Sequence, residues 1–376
     1  MSFMLYWPCQ VAAADQAAAA LADLKSFQLD KLDGEVPPCP AHSCHLIWAA
    51  TAMALGDAGE YARRLNIPGM ADYAAGKGIK QNFDAVRQFE PLPRVHPRKI
   101  AERFQLPMTN WGQQPRQASH GPQLVGAELR PTVAMLINGI NLDFIVDTAG
   151  TLTIPPDGPV RQTLTPLPVE ASGATALVKS ARVDLSTVKE LRLGPAKIHN
   201  MLAGLNKNTL SLDPARPLGA FGLDVLLHFR SVTMDLKKGQ LLFNSAELGP
   251  NCVQMELELD ELHLVSVIVV PIVVDGQVLR AMIDTGANYS LMIYGDATLP
   301  TTKLESGGNL RLIDRSGNLA APKQAQVKLN LGTLTSTSHA FVIPFMMGNY
   351  SASLGAQFFA GRNVQFNFQE RLLCVD

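Results

Sequence analysis

The chain repeats itself once. Asn138-Gly139 recurs as Asp275-Gly276 and Asp147-Thr148 as Asp284-Thr285, both at an offset of 137 residues. Leu191-x-Leu193-Gly194 recurs as Leu329-x-Leu331-Gly332 at 138, and Phe221-Gly222 as Leu354-Gly355 at 133. Four landmarks in the same order at nearly constant spacing define a duplicated unit. A period this long excludes a solenoid of short repeats and implies two lobes of similar construction.

Each copy opens in the same way. An apolar run (Val133 to Ile137; Val269 to Val274) meets an Asn-Gly or Asp-Gly pair, the signature of a tight primed hairpin turn. A return run (Leu142 to Val146; Leu279 to Ile283) then delivers an aspartate where the apolar stretch ends. Alternation with Gly and Asn/Asp turns continues to the C-terminus, so the region from about residue 121 is predicted to be β. Before it, Ala-rich helical periodicity covers Val11 to Leu24, Leu46 to Leu65 and the stretch around Phe83 to Phe89. A polar linker, Gln113 to Pro122, separates the two textures, and Gly249-Pro250 marks a second break between the halves. The expected division is 1–120 helical, with a leader-like start and the linker, then 121–247 as the first lobe and 248–376 as the second.

Composition limits the function classes. Apolar residues make up 47% of the chain and charged residues 17%, which supports large buried cores and not disorder. With 32 basic and 33 acidic side chains there is no basic stripe for nucleic acid or an anionic membrane. The longest apolar run, Leu264 to Val274, is interrupted by Ser266 and Pro271 and is shorter than the ~20 residues of a spanning helix. It reads as a buried strand. There is no Gly-rich phosphate loop, no His-Glu-x-x-His and no Gly-x-Ser-x-Gly. His199, His228 and His263 lie in strand-like or amphipathic stretches and are expected to be structural. No cofactor or metal is expected.

The repeated motif reads Phe144-Ile145-Val146-Asp147-Thr148-Ala149-Gly150-Thr151 in the first copy. In the second it reads Ala281-Met282-Ile283-Asp284-Thr285-Gly286-Ala287-Asn288-Tyr289-Ser290. Late apolar-apolar-Gly segments follow, Ala220-Phe221-Gly222 and Ser353-Leu354-Gly355, each leading to a strand pair at Val232 to Phe243 and Val364 to Cys374. This pattern resembles the retropepsin-like aspartic proteases, specifically bacterial members with two such domains in one chain, from about Leu124 onward. The resemblance implies a mostly β fold of two retropepsin-like barrel lobes forming a pseudo-dimer behind an α-helical N-terminal domain. It implies catalysis by Asp147 and Asp284, with Thr148, Ala149, Gly150, Thr285, Gly286 and Ala287 supporting the two loops. Two carboxylates at one site cannot both ionise cheaply, so one keeps a proton while the other activates a water for attack on a peptide carbonyl. The first copy departs from the family: Ala149 then Gly150 stand where Gly then Ala are usual.

The family also covers its substrate with hairpin flaps. The candidates are the turns around Ser172 and Gly173 in the first lobe and Ser316 and Gly317 in the second. The expected partner is a polypeptide held as an extended strand, and with both halves in one chain a monomer suffices. A catalytically weak or inactive peptide-binding module is the alternative reading, motivated by Ala149. Cys39, Cys44, Cys252 and Cys374 are candidate disulfide cysteines, with Cys252 and Cys374 bracketing the second lobe and expected to meet. The spacing of Cys39, His42, Cys44 and His45 fits no zinc pattern. An apolar start ending at Ala12-Ala13-Ala14 resembles a cleaved leader without its basic residues, which favours a periplasmic or secreted location over a cytoplasmic one.

Overall fold

The structure is a computed structural model. It describes residues 6–32, 41–78, 80–95, 100–109, 130–156, 158–175, 178–206, 218–246, 249–259, 266–295, 305–306, 312–313, 319–320, 322–344 and 349–376. It is mostly β, with a smaller helical part at the N-terminus, and the β region forms two lobes of similar construction.

Among the described residues, five α-helices lead the chain: Tyr6–Lys25, His42–Ala54, Ala58–Leu65, Met70–Gly76 and Lys80–Val86. The periodicity from Leu46 to Leu65 predicts one helix, but the structure breaks it into two. Gly56 takes a left-handed φ of 73°, and Asp57 caps the second helix by accepting the Glu60 N–H at 3.0 Å. The buried Arg64 then ties the region together, donating to the carbonyls of Leu32 and Trp48 and to Glu60. Helix residues Leu46, Tyr61 and Phe83 share one apolar cluster with Leu185 and Leu202 of the first lobe. Ile47 and Trp48 join the main core of both lobes. Buried His228 donates its Nε2–H to the Leu55 carbonyl (3.0 Å). The helical part is therefore packed onto the β structure, not tethered beside it.

In the first lobe, Thr132–Ile137 and Ile140–Val146 form the predicted hairpin, with Asn138 and Gly139 both at positive φ. In the second, Ser266–Val274 and Gln277–Asp284 do the same around Asp275 and Gly276, again both at positive φ. These are the backbone signs that a primed turn demands and that Asn/Asp-Gly tolerate. The late segment of each half pairs in parallel with the aspartate-bearing strand: Gly219–Phe221 against Phe144 to Val146, and Ala352–Gly355 against Ala281 to Asp284. A barrel closes in the second lobe where Val273 and Val274 meet Asn330 and Leu329. Leu136 and Ile137 make the equivalent contact with Arg192 and Leu191 in the first. The strand Leu291–Tyr294 has only two isolated bridges, at Thr153 and Ile154, as its counterpart in the first lobe.

A six-stranded sheet joins everything. Its order is Phe104–Pro107, Gln240–Phe243, Ser231–Asp235, Asn363–Asn367, Leu372–Val375, Asn251–Gln254. The join between halves is the antiparallel pairing of Ser231–Asp235 with Asn363–Asn367, and one edge is a strand from the end of the helical region. Cys252 and Cys374 face each other across the last pair and are disulfide-bonded. Cys44 is also disulfide-bonded; Cys39 lies outside the described residues. Among the described residues no helix is long and apolar enough to cross a membrane.

Candidate active site

Both aspartates stand where a buried strand turns into a loop. Phe144, Ile145 and Val146 are buried, as are Ala281, Met282 and Ile283, so each strand is anchored up to the residue before its carboxylate. The backbone of Asp147 is held by its N–H to the Phe221 carbonyl at 2.9 Å, and Asp284 lies opposite Gly355 in the parallel pair.

The threonines lock the two loops to each other. Thr148 Oγ1 donates to the Ile283 carbonyl (2.8 Å) and accepts from the Thr285 N–H (3.1 Å). Thr285 Oγ1 donates to the Val146 carbonyl (2.6 Å) and accepts from the Thr148 N–H (3.1 Å). Both side chains are fully buried, so two hydroxyls that water cannot reach are satisfied across the lobe boundary. Register between the lobes is thus set at the aspartates.

Glycines explain how close the loops come. A methyl group at Gly286 would lie 2.6 Å from Asp147 Cγ and 2.8 Å from each of its oxygens. The carboxylate of the first lobe therefore rests on the loop of the second. The late glycines serve their own lobes: a methyl at Gly222 would strike the Gly150 carbonyl oxygen, and one at Gly355 the Tyr289 carbonyl oxygen. That packing is the physical reason the apolar-apolar-Gly segment accompanies the Asp-Thr motif in both copies.

Ala149 has its own place. Its N–H and that of Gly150 donate to Asp147 Oδ1 at 3.0 and 3.1 Å. Its half-buried side chain packs against the cluster of Val267, Val269 and Met282 in the second lobe. The methyl group thus forms an apolar contact between lobes while leaving the loop's hydrogen bonds to Asp147 in place. Ala287 lies in the second loop, where its N–H reaches the Asp284 carbonyl (3.3 Å).

The electrostatics are those of a crowded pair. Asp284 is pushed up to about 8, first by burial and then by the charge of Asp147, with hydrogen bonds from Tyr289, Ala287 and Gly286 opposing. Burial also raises Asp147, against the two N–H groups on its Oδ1. Each residue keeps some exposed surface, so the site is reachable from outside although protein dominates its surroundings.

Tyr289 escaped sequence reasoning. Its hydroxyl donates to Asp284 Oδ2 at 3.3 Å and lies 2.6 Å from Ser353 Oγ, which lies 2.8 Å from the Tyr294 hydroxyl. The available signal was the overlay of the halves, which sets Tyr289 against Leu152. Leu152 packs with the helical cluster and carries no hydroxyl.

The flap candidates fall differently. Ser172 and Gly173 are not at a turn: they run within the strand Thr165–Thr175, opposite Arg182 and Ala181 of Val178–Leu193. The hairpin is longer than turn chemistry implied, because strand pairing continues to Thr175 and Val178, and its tip at 176–177 lies outside the described residues. Ser316 and Gly317 also lie outside the described residues, between the paired strands Leu312–Ile313 and Leu319–Ala320. Among the described residues no three His, Cys, Asp or Glu side chains converge as metal ligands.

No family model matches the chain, and no curated protein matches it. Solved structures similar to the chain include three at low identity. A retropepsin-like aspartic protease from Rickettsia conorii is 13% identical over 38% of this chain and 89% of its own, with a TM-score of 0.25. Basic 7S globulin from soybean is 11% identical over 74% of this chain and 97% of its own, with a TM-score of 0.39. An aspartic proteinase from Irpex lacteus is 13% identical over 73% of this chain and 97% of its own, with a TM-score of 0.48.

Proposed function

We propose that the chain is an aspartic endopeptidase whose catalytic pair is Asp147 and Asp284. The observation that carries this reading is the contact of the Asp147 carboxylate with Gly286, inside a pair of loops locked by Thr148 and Thr285. Buried carboxylates held this way share one proton over a wide pH range. A water between them loses a proton to the ionised member and attacks the peptide carbon, while the protonated member hydrogen-bonds the carbonyl oxygen. The tetrahedral species then collapses as a carboxyl passes a proton to the leaving amine, with no covalent enzyme intermediate.

A polypeptide would lie extended across the site, paired through its main chain as an added strand under the Thr165–Thr175 and Val178–Leu193 hairpin. One chain supplies both aspartates, which supports an active monomer built from a helical part at 1–120 and lobes at 121–247 and 248–376. Two bonded cysteine sites, the Cys252–Cys374 bridge and Cys44, support an oxidising compartment. The test is cleavage of a denatured protein or peptide library from about pH 3 to 8, with Asp147→Asn and Asp284→Asn beside the wild type. Loss of cleavage in both variants is expected. Cleavage unaffected by either refutes the pair, and peptide binding without cleavage at any pH identifies a binding module instead.

A further inference from the structure

We propose that Tyr289 is a positioning residue that makes the two carboxylates inequivalent by donating its hydroxyl proton to Asp284 Oδ2. The inference rests on the reading of Asp147 and Asp284 as a pair.

Three hydroxyls form a chain that ends on this carboxylate: Tyr294 to Ser353 at 2.8 Å, Ser353 to Tyr289 at 2.6 Å, Tyr289 to Asp284 at 3.3 Å. An ionised carboxylate only accepts, so the last hydroxyl must donate to it. The chain is then satisfied in one direction: Tyr294 donates to Ser353, Ser353 to Tyr289, and Tyr289 to Asp284. Every hydroxyl gives its proton once, and donors in series polarise one another. Ser353 and Tyr294 are buried, so the chain is fixed by packing and not by water.

Among the described residues of the first lobe, no side-chain hydroxyl donates to Asp147. Leu152 stands where Tyr289 does, and Asp147 is held by two backbone N–H groups on Oδ1. Backbone donors hold Asp147 whatever the side chains are; a side-chain hydroxyl tunes Asp284 alone. The titratable groups facing this chain are Asp147 from the first lobe's loop, Tyr294 from Leu291–Tyr294, and Tyr350, whose ring lies 5.7 Å from that of Tyr294. Because the tyrosines' own ionisation is pushed upward, they remain neutral donors across the range in which the pair titrates.

The decisive measurement is the carboxyl titration of the full chain by carbon NMR with labelled aspartate. Wild type, Tyr289→Phe and Ser353→Ala are compared, with the Asp284 signal identified by its loss in Asp284→Asn. Removing a donor to the ionised form raises the upper step, by about half to one pH unit in Tyr289→Phe for a single neutral hydrogen bond. Ser353→Ala should move it the same way by less, since Tyr289 keeps its hydroxyl but loses its orientation, and it decides the matter if the phenylalanine variant fails to fold. The alkaline limb of proteolysis should follow the same displacement. An unmoved upper step in folded Tyr289→Phe overturns the inference even if peptide cleavage is found. A displaced step in a chain that cleaves nothing upholds it and refutes the protease reading.

Discussion

Gly286→Ala tests the heart of the site, because the structure states what the added methyl would meet. The new carbon would sit 2.6 Å from Asp147 Cγ, against 3.4 Å for the near limit of ordinary contact, so the carboxylate must retreat by at least the 0.8 Å between them. It cannot do so freely, since Oδ1 is held by the N–H groups of Ala149 and Gly150. A misplacement of about 1 Å in a reacting group costs on the order of 10²-fold in rate. The expected result is therefore a loss of kcat/KM of roughly 10²-fold or more, mostly in kcat. The clash is confined to one partly exposed side chain, so the melting temperature should fall by only a few degrees, for a cost of about 1 kcal/mol. The control is Ala149→Gly in the other loop. It removes a half-buried methyl from the Val267, Val269 and Met282 cluster, a cost below about 0.8 kcal/mol, and should keep activity within a few fold. Peptide hydrolysis and thermal melting of both variants make the comparison. Full activity in Gly286→Ala would mean that the Asp147 carboxylate does not rest on the opposite loop, and the reasoning would fail with it.

Other outcomes follow from the same geometry. Thr148→Val should destabilise the chain by about 2–4 kcal/mol in urea titration, because it strands the Ile283 carbonyl and the Thr285 N–H in the interior; a loss under about 0.5 kcal/mol would contradict the interlobe lock. For Asp284 the folded state keeps its proton up to about 8 while the unfolded chain gives it up near 3.8. Its contribution is thus complete below pH ~4 and is lost as pH rises through the folded value. Asp284→Asn, which cannot ionise, should gain on the wild type by on the order of 1–2 kcal/mol between pH 4 and 8, allowing for the exposed part of the carboxyl. Melting curves at the two pH values check it, and a gap that does not widen with pH would count against the burial argument. Cys374→Ser should cost about 2–4 kcal/mol by releasing a loop spanning 122 residues, and the wild type in reductant should melt with the variant.

Local chemistry was legible in the sequence where one residue type has one use. The Asn138-Gly139 and Asp275-Gly276 pairs announced hairpins because few residues accept positive φ twice in succession, and both turns have it. The offset of 137 between Asp147-Thr148 and Asp284-Thr285 pointed to two loops, which the threonine hydrogen bonds join. What escaped depended on residues that meet only after folding. Tyr289 and Ser353 are 64 positions apart, and nothing in either segment marks them as partners. The helix break at Gly56 was hidden because Ala-rich sequence stays helical by propensity on both sides of it. The strand Phe104–Pro107 alternates over only four residues, too short a run to mark a strand by itself, and its neighbour Gln240–Phe243 gives it an identity. Around Ser172 and Gly173, turn-favouring residues sit inside a paired strand, where neighbours across the sheet outweigh local preference.

The six-stranded sheet separates two properties that usually travel together: continuity of the chain and continuity of the folded body. The halves are connected in sequence by a single crossing near Gly249-Pro250, yet hydrogen-bonded pairing runs unbroken from the helical region's edge strand through Ser231–Asp235 and Asn363–Asn367 to Asn251–Gln254. Cutting the polypeptide in that crossing removes one covalent link and none of the ladder. A nicked molecule should therefore travel through a sizing column as one particle and unfold in one calorimetric step, its two fragments held as firmly as the strands of a single sheet.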